Sequence, residues 1–327
     1  MAFKVSNTTV VSSATAPGVA SGTFFAANIQ GSIGFASADD GYMGQNYGYS
    51  SGGIEIPGNV VNIIDKFPFA NDANAADVGD LTVVRFGVAG HSSLSDGYTT
   101  GYGNIIDRFP FATNASATDV GDTITSFPAY AGGNSSLSHG YTNGAQYQDK
   151  FPFSTTVNSV NLSSSIPSQP RLGTGNQSST SHGYISGGVP TGNNQVDKFP
   201  FATDSSTSLV GALSSARYFT TGNSSSTHGY NSGGEGSNVI DKFPFANDAN
   251  AADVGDSTVS HTRCSSTGQN STLSGYRTGG YNVSAPSLDK INSANLIEKF
   301  SFVSDGNATD VGDLSGVPRY NNCGQHF

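Results

Sequence analysis

A short string made of an acidic residue, a basic residue and Phe-Pro-Phe recurs six times along this 327-residue chain. Successive copies are 42 to 57 residues apart, and an insertion at 281–296 makes the last interval the widest. The sixth copy has Ser in place of Pro. A period of this length indicates a repeat architecture, in which each unit buries its apolar face against its neighbours. The first Phe of each copy is Phe67, Phe109, Phe151, Phe199, Phe243 and Phe300.

Two further strings surround each copy in a fixed order. A Gly-Tyr pair precedes every copy and is followed by a double glycine in four units, as at Gly187-Gly188. Asp-Val-Gly-Asp follows four copies, as at 77–80, and weakens to Leu-Val-Gly-Ala at 209–212. These signals together define one repeating unit. The Tyr residues of the Gly-Tyr pairs are Tyr49, Tyr98, Tyr141, Tyr184, Tyr230 and Tyr276.

Each unit is long enough for four short strands, which is the content of one β-propeller blade. The composition agrees with short strands and many turns, because the chain has 42 Gly and 13 Pro and only 12% charged residues. We therefore expect an all-β fold, a six-bladed β-propeller. The Phe and Tyr of every unit are predicted to pack between neighbouring sheets, since aromatic burial dominates core energetics.

The two ends of the chain are predicted to complete one blade. Residues 314–327 contain Arg319 but no following Gly-Tyr strand, whereas the Gly-Tyr strand at Tyr49 has no Arg strand before it. Pairing these halves closes the ring and removes the exposed strand edges of an open array. The Pro of Phe-Pro-Phe, which cannot donate a ladder hydrogen bond, is expected at a strand end or blade margin.

An Arg stands thirteen residues before the Tyr in four units, and Arg319 is the corresponding residue of the unit shared by the two ends. This pattern resembles the kelch motif, in which an Arg-bearing strand precedes Gly-Tyr-x-x-Gly-Gly. The resemblance covers about residues 34–327. It departs from the motif in lacking Trp, in two broken double glycines and in a third unit without Arg. The four arginines are Arg85, Arg171, Arg217 and Arg263.

The resemblance divides the chain into a propeller at 34–327 and an N-terminal arm at 1–33. This arm reads as extended chain rich in Val, Thr, Ala, Ser and Gly. Two interpretations stay open for it: an attachment arm, or a mobile tail or additional edge strand. Within the propeller, the acidic residue before each Lys-Phe or Arg-Phe and the repeated Arg are predicted to form ion pairs between blades, of little value if they are exposed.

Candidate metal sites compete with structural interpretations. One histidine lies two residues before the blade Tyr in three units, and we expect a repeated structural hydrogen bond, since equivalent positions meet only at the channel axis. The stretches 71–74 and 247–250 have calcium-like composition without EF-hand spacing, so exposed Asx turns are preferred. Neither a metal nor a cofactor is expected. The histidines are His139, His182 and His228.

Two cysteines, Cys264 and Cys323, fall on the Arg strands of units that closure makes neighbours. A disulfide is conceivable, and buried free thiols are the preferred interpretation. The formal charge of −10, without a basic cluster, argues against nucleic acid. No stretch has the length of a membrane span or the form of a standard export signal, so we expect a soluble protein without a membrane partner.

Catalysis finds little support in the sequence, which has no Gly-x-Ser-x-Gly string and no Gly-Lys-Ser/Thr phosphate loop. We therefore expect no enzyme activity. Galactose oxidase is a kelch-like oxidase with copper ligands in its propeller. Its ligand set cannot be assembled here, because the His and Tyr residues occupy repeat positions.

The opening MAFKVSNTTV, with the Phe-Pro-Phe-Ala, Asp-Val-Gly-Asp and Ser-Ser-x-x-His-Gly-Tyr-x-Ser-Gly-Gly repeats, resembles virion structural and tail-fibre-like proteins of marine bacteriophages, especially phages of cyanobacteria. This resemblance implies a location in the virion, contacts to other virion proteins through the N-terminal arm, and a role at the host surface, where a glycan or receptor would be bound. The alternatives are a free carbohydrate- or protein-binding propeller and, last, a galactose-oxidase-like enzyme.

Overall fold

The computed structural model describes residues 2–5, 8–11, 44–162, 170–190, 193–261, 263, 267–281 and 295–326. The chain separates into two compact units, 1–37 and 38–327. In the first unit, β1 (Ala2–Val5) and β2 (Thr8–Val11) pair antiparallel, with Phe3 opposite Val10. The rest of the arm predicted at 1–33, and most of the insertion at 281–296, lie outside the described residues.

The second unit contains six four-stranded antiparallel sheets, so the predicted all-β, six-bladed β-propeller is confirmed. Blade 1 takes β3 (Tyr47–Ser51), β5 (Ile63–Pro68), β6 (Ala76–Asp80) and the C-terminal β28 (Cys323–His326). Blade 2 is β7 (Ala89–Ser92), β8 (Asp96–Thr100), β9 (Gly103–Pro110) and β10 (Thr118–Phe127). Blade 3 is β11 (Gly132–Ser135), β12 (His139–Gly144), β13 (Tyr147–Pro152) and β14 (Val160–Asn161).

The remaining blades repeat this arrangement. Blade 4 is β15 (Gly175–Ser178), β16 (His182–Ser186), β17 (Gln195–Pro200) and β18 (Ser208–Ala212). Blade 5 is β19 (Thr221–Ser224), β20 (His228–Ser232), β21 (Ser237–Pro244) and β22 (Ala252–His261). Blade 6 is β23 (Gln269–Asn270), β24 (Ser274–Thr278), β25 (Leu296–Ser301) and β26 (Thr309–Asp313).

The first strand of each blade, with β28 serving blade 1, is the inner strand, because these six strands contact one another in a closed ring. The Gly-Tyr string forms the second strand, Phe-Pro-Phe ends the third, and Asp-Val-Gly-Asp forms the outer strand. In five blades Pro is the last residue of the third strand, as predicted for a residue that cannot donate to the ladder. The described part of the chain contains no helix long and apolar enough to cross a membrane.

Ring closure by the two ends is confirmed. Strand β28 pairs antiparallel with β3, with Cys323 opposite Ser51 and His326 opposite Gly48. Arg319, however, does not lie on this pairing strand. It belongs to β27 (Arg319–Tyr320), which pairs with β4 (Ile54–Glu55), and the chain then turns through Asn321 at a φ of 57°. The Arg of a unit therefore precedes its inner strand.

The Gly-Tyr string follows from how the sheets pack. In blade 2, Gly97 lies opposite Phe109 on the neighbouring strand, and its missing Cβ leaves room for that ring. Tyr98 instead faces the next blade, with ring centroids 5.6 Å from Phe151 and 4.8 Å from Phe153. Tyr276 and Phe67 make the same contact between blades 6 and 1, at 5.6 Å. Aromatic packing between sheets is thus what holds consecutive blades together.

Candidate functional site

The repeated Arg and Asp form buried ion pairs within single blades. Arg85 pairs with Asp107, and the same contact recurs three times with both side chains at most 2% exposed. The prediction of pairs between blades was wrong, because the Arg ahead of an inner strand reaches the third strand of its own sheet. The other three pairs are Arg171–Asp197, Arg217–Asp241 and Arg319–Asp65.

Two blades depart from this arrangement. In blade 6 the carboxylate is Glu298, and Arg277 from the second strand pairs with it. Arg263, predicted to be the structural Arg of this unit, instead lies 5.8 Å from the ring centre of Phe219. In blade 3, which lacks the Arg, Asp149 accepts hydrogen bonds from Thr125, Ser159 and Asn161. These three residues replace the ion pair with neutral donors.

Burial controls the ionisation of these pairs. Desolvation lowers the pKa of Arg85, Arg171 and Arg319, and the facing carboxylates partly offset that shift. Desolvation also opposes ionisation of Glu298, but Arg277 and His261 hold the pKa of that carboxyl below its usual value. A charge left without its partner at such a position is costly.

Contacts between blades are made by the Lys of the third strand. Lys198 reaches Asp248 of the next blade at 2.6 Å, and Lys299 reaches Asp72 at 2.9 Å. These two Asp residues belong to the loops with calcium-like composition, and within those loops Asn74 accepts from the amide of Asp313. The loops therefore link neighbouring blades. Among the described residues, no group of three His, Cys, Asp or Glu side chains is placed to hold a metal.

The three repeated histidines lie apart from one another. The Nδ1 atoms of His139 and His182 are 2.8 Å from the hydroxyls of the preceding Ser138 and Ser181, and His228 repeats the contact with Thr227. The hydrogen bond is local and exposed. Cys323 is a free, buried thiol whose pKa burial raises to about 11. Its predicted counterpart, Cys264, lies outside the described residues.

A ring of buried amides at the inner strands was missed by the sequence analysis. Gln177 donates 2.9 Å to the carbonyl of Tyr230 in the next blade, and Gln269 and Gln325 do the same toward Tyr49 and Tyr98. The available signal was a recurring Asn, Gln or His before Ser or another polar residue. The position is occupied by His91, Asn134, Gln177, Asn223, Gln269 and Gln325.

The inner strands almost fill the axis. A Cβ at Gly90, Gly133 or Gly222 would overlap the backbone of a neighbouring inner strand. Two residues farther along, backbone amides donate to side chains around the ring, as from Ser92 to Ser135 and from Ser135 to Ser178, both at 3.1 Å. The cavity left on the axis is only about 50 Å³, room for a few waters at most.

His91 predicts how stability responds to acid. It is fully buried, its Nδ1 donates to the carbonyl of Asn134 and its Nε2 accepts from Thr100, and burial lowers its pKa to about 4. Below pH 6.5 His91 binds a proton in the unfolded chain, whereas in the folded chain it stays neutral down to about pH 4. The free energy of unfolding therefore decreases as the pH is lowered across this range. His91→Gln places at this position the residue that blade 4 has there, Gln177. We expect this variant to lose about 2 kcal/mol less unfolding free energy than the wild type between pH 7 and pH 4.5.

Urea unfolding at the two pH values measures this difference. His139→Gln is the matched control, because His139 is half-buried and its Nδ1 bonds only the neighbouring hydroxyl. The control should keep most of the wild-type pH dependence. An equal change in the two variants would contradict the assignment to His91.

An aromatic cluster lies at one end of the axis. This aromatic end is formed by the connections that follow the second and outer strands of each blade. Tyr102 and Phe86 have ring centroids 4.4 Å apart, and Tyr130 and Phe219 are 4.6 Å apart. The stacked pair Tyr281 and Tyr320, 4.9 Å apart, adjoins them through Arg263. We call these rings the aromatic rim: Phe86, Tyr102, Tyr130, Phe219, Tyr281 and Tyr320.

Three residues of the aromatic rim, Tyr102, Tyr130 and Phe219, have a left-handed backbone. A chain of amide-to-carbonyl hydrogen bonds joins the blades here, including Tyr130 to Gly87 and Phe219 to Gly173, both at 2.6 Å. Gly87 and Gly173 have φ of 60° and 62°, as glycine readily does. Tyr130 and Phe219 occupy the equivalent positions at 74° and 56°. Large residues in this region cost free energy, and such strain concentrates at functional sites.

Charge is distributed unequally between the two ends. The Lys–Asp pairs lie at the end opposite the aromatic rim, where the third strand turns into the outer strand. Apart from the buried arginines, the described connections at the aromatic end carry only Glu55, Glu235 and Arg263. The described connections at the aromatic end are therefore close to neutral and rich in half-buried rings.

No protein-family model matches this sequence. No curated protein matches it either. The kelch relationship and the virion origin therefore stay predictions that rest on the repeat strings.

Proposed function

We propose that this chain is a structural protein of a phage virion, a tail, fibre or surface-decoration component that contributes to host attachment through its propeller. The N-terminal arm at 1–33 would contact other virion proteins, and the propeller would present a binding surface. In this proposal the protein acts by binding and carries out no catalysis.

The observation that carries the binding role is the aromatic end of the axis. Half-buried rings in neutral surroundings, beside Ser, Asn and Gly backbone, are the residue types that adaptable recognition surfaces use. The β-propeller fold by itself does not determine the function, since one fold can have many functions. The location in a virion is supported separately, by the resemblance of the repeat strings to virion structural and tail-fibre-like proteins.

A free carbohydrate- or protein-binding propeller is the second candidate. The same aromatic end favours it, because nothing about this surface requires attachment to a particle. The two candidates differ in where the protein is found. In the first, the chain is an integral part of the purified particle, whereas in the second it is absent from it.

Mass spectrometry of purified virions, from the phage whose genome encodes the chain, tests the location. We expect the full-length protein at a fixed copy number after density-gradient purification. Particles produced with a chain lacking residues 1–33 should contain none of it, although the purified variant should keep the thermal unfolding of the full-length propeller. Absence of the full-length protein from particles would reject the virion role.

A further inference from the structure

We infer that the aromatic rim is a binding site for an uncharged carbohydrate, a neutral pyranose-containing glycan that stacks on Tyr130 and Phe219. The inference deepens the proposed attachment function, on which it rests for the source of the glycan. The stacking site itself is argued from the rings, their backbone and the charges around them.

Ring geometry fits a sugar. A pyranose has a C–H face that packs on an aromatic ring and hydroxyls at its edge that need hydrogen-bond partners. The rings of Tyr130 and Phe219 are adjacent and half-buried, and Tyr102 beside them is 44% exposed. Among the described residues, the hydroxyls of Tyr102, Tyr130 and Tyr320 have no hydrogen-bond partner. They are thus placed to bond a ligand.

The strained backbone of Tyr130 and Phe219 indicates that these aromatic side chains have a functional role. Gly87 and Gly173 show that the fold accepts glycine at this place in the ring, and Asn321 shows that it accepts Asn. Aromatic residues at the equivalent positions are conformationally unfavourable, and the φ values of 74° and 56° remain unfavourable for as long as the chain is folded. Packing between blades does not require these two rings, because blade 4 closes with Gly173.

The surroundings select against a charged ligand. Apart from the buried arginines that are paired with Asp, Arg263 is the one cation that the described connections place at the aromatic rim, and it already lies over Phe219. A polyanionic glycan would lack the clustered Lys and Arg that it needs. A shallow hollow of about 350 Å³ adjoins the rim at Gly173 and is lined by Ala145, Pro170, Arg171, Leu172, Val189 and Pro190. The Arg171 side chain is buried in its ion pair with Asp197. This apolar hollow can take a second sugar residue of the same chain.

The purified full-length chain should be tested on an array of oligosaccharides of glucose, galactose, mannose and N-acetylglucosamine, with sulfated and sialylated glycans alongside. The best neutral ligand is then titrated by calorimetry. We expect Tyr130→Gly and Phe219→Gly to weaken binding at least tenfold. Their melting temperatures should be no lower than that of Tyr147→Ala, because glycine relieves the left-handed strain. Tyr130→Asn, which copies Asn321, provides a second variant with the same expectation.

Tyr147→Ala is the matched control. Tyr147 is 42% exposed, a fraction similar to the 44% of Tyr102, and it is not part of the aromatic rim. It should bind the sugar as the wild type does. Binding confined to charged glycans, no binding to any neutral glycan, or unchanged affinity in both glycine variants would overturn the inference. The virion analysis is independent of these outcomes, so sugar binding can fail while the virion role stands, and the reverse.

Discussion

Deleting residues 323–327 is expected to abolish the cooperative unfolding transition and to make the chain associate into larger species than the wild type forms. The deletion removes β28, the inner strand of blade 1, which carries the fully buried Cys323 and Gln325. It leaves the edge of β3 unpaired, and such an edge pairs with other chains. It also removes the Gln325 bond to Tyr98 that links blades 1 and 2. Domains are stable by only roughly 5–15 kcal/mol, so the loss of a whole inner strand is expected to remove the cooperative fold.

Calorimetry and light scattering after size exclusion measure the two effects. A chain lacking residues 1–11 is the control, because it loses a segment from the other terminus but keeps β28. It should melt cooperatively and keep the association state of the wild type. Addition of a synthetic peptide of residues 319–327 to the truncated chain should restore part of the transition. A truncated chain that keeps the association state of the wild type and melts as the wild type does would contradict closure by β28.

Replacing Arg85 with Met should destabilise the propeller by about 3–5 kcal/mol, because Asp107 is then a buried charge without its partner. The Arg85 side chain is 1% exposed and that of Asp107 is fully buried. The double variant Arg85→Met with Asp107→Asn should recover more than half of the loss. Its Asn carries no charge, its Oδ1 can still accept from the Thr82 amide, and its Nδ2 can donate to the Thr82 hydroxyl. Blade 3 shows that an Asp at this position is compatible with neutral donors alone.

Urea unfolding compares these variants with Lys198→Met. Lys198 and Asp248 are 21% and 54% exposed, so the loss of their pair should cost less than about 1 kcal/mol. The same chemical change is thus made at a buried and at an exposed ion pair. Equal destabilisation by Arg85→Met and Lys198→Met would show that burial is not the reason why breaking the Arg85–Asp107 pair costs stability.

The period of the sequence predicted the architecture because every blade packs the same aromatic residues against its neighbour. Tyr98 and Phe151 had to recur, since each blade buries its Tyr on the next. The closing blade followed from an Arg strand at one end and a Gly-Tyr strand at the other. A period does not distinguish contacts within a blade from contacts between blades. For that reason the Arg85–Asp107 pair was placed wrongly.

The parts that vary between units were harder to predict. In blade 6, Glu298 replaces Asp and Arg277 replaces Arg263 as its partner, a paired change that only the side-chain geometry explains. The aromatic rim gave no periodic signal, because its residues come from connections whose sequences differ from unit to unit. The strain at Tyr130 and Phe219 is a property of φ, which no residue pattern reports.

Closure of the ring is the claim on which the aromatic end depends, because the Asn321 carbonyl accepts from the Gly87 amide only if the C-terminus returns to the first sheet. Native-state hydrogen exchange of Cys323–His326 tests it most directly. Those amides should be protected as strongly as those of the equivalent inner strand Ala89–Ser92. Exchange of Cys323–His326 at the rate of an unpaired terminus, while Ala89–Ser92 remains protected, would contradict the closed six-bladed ring.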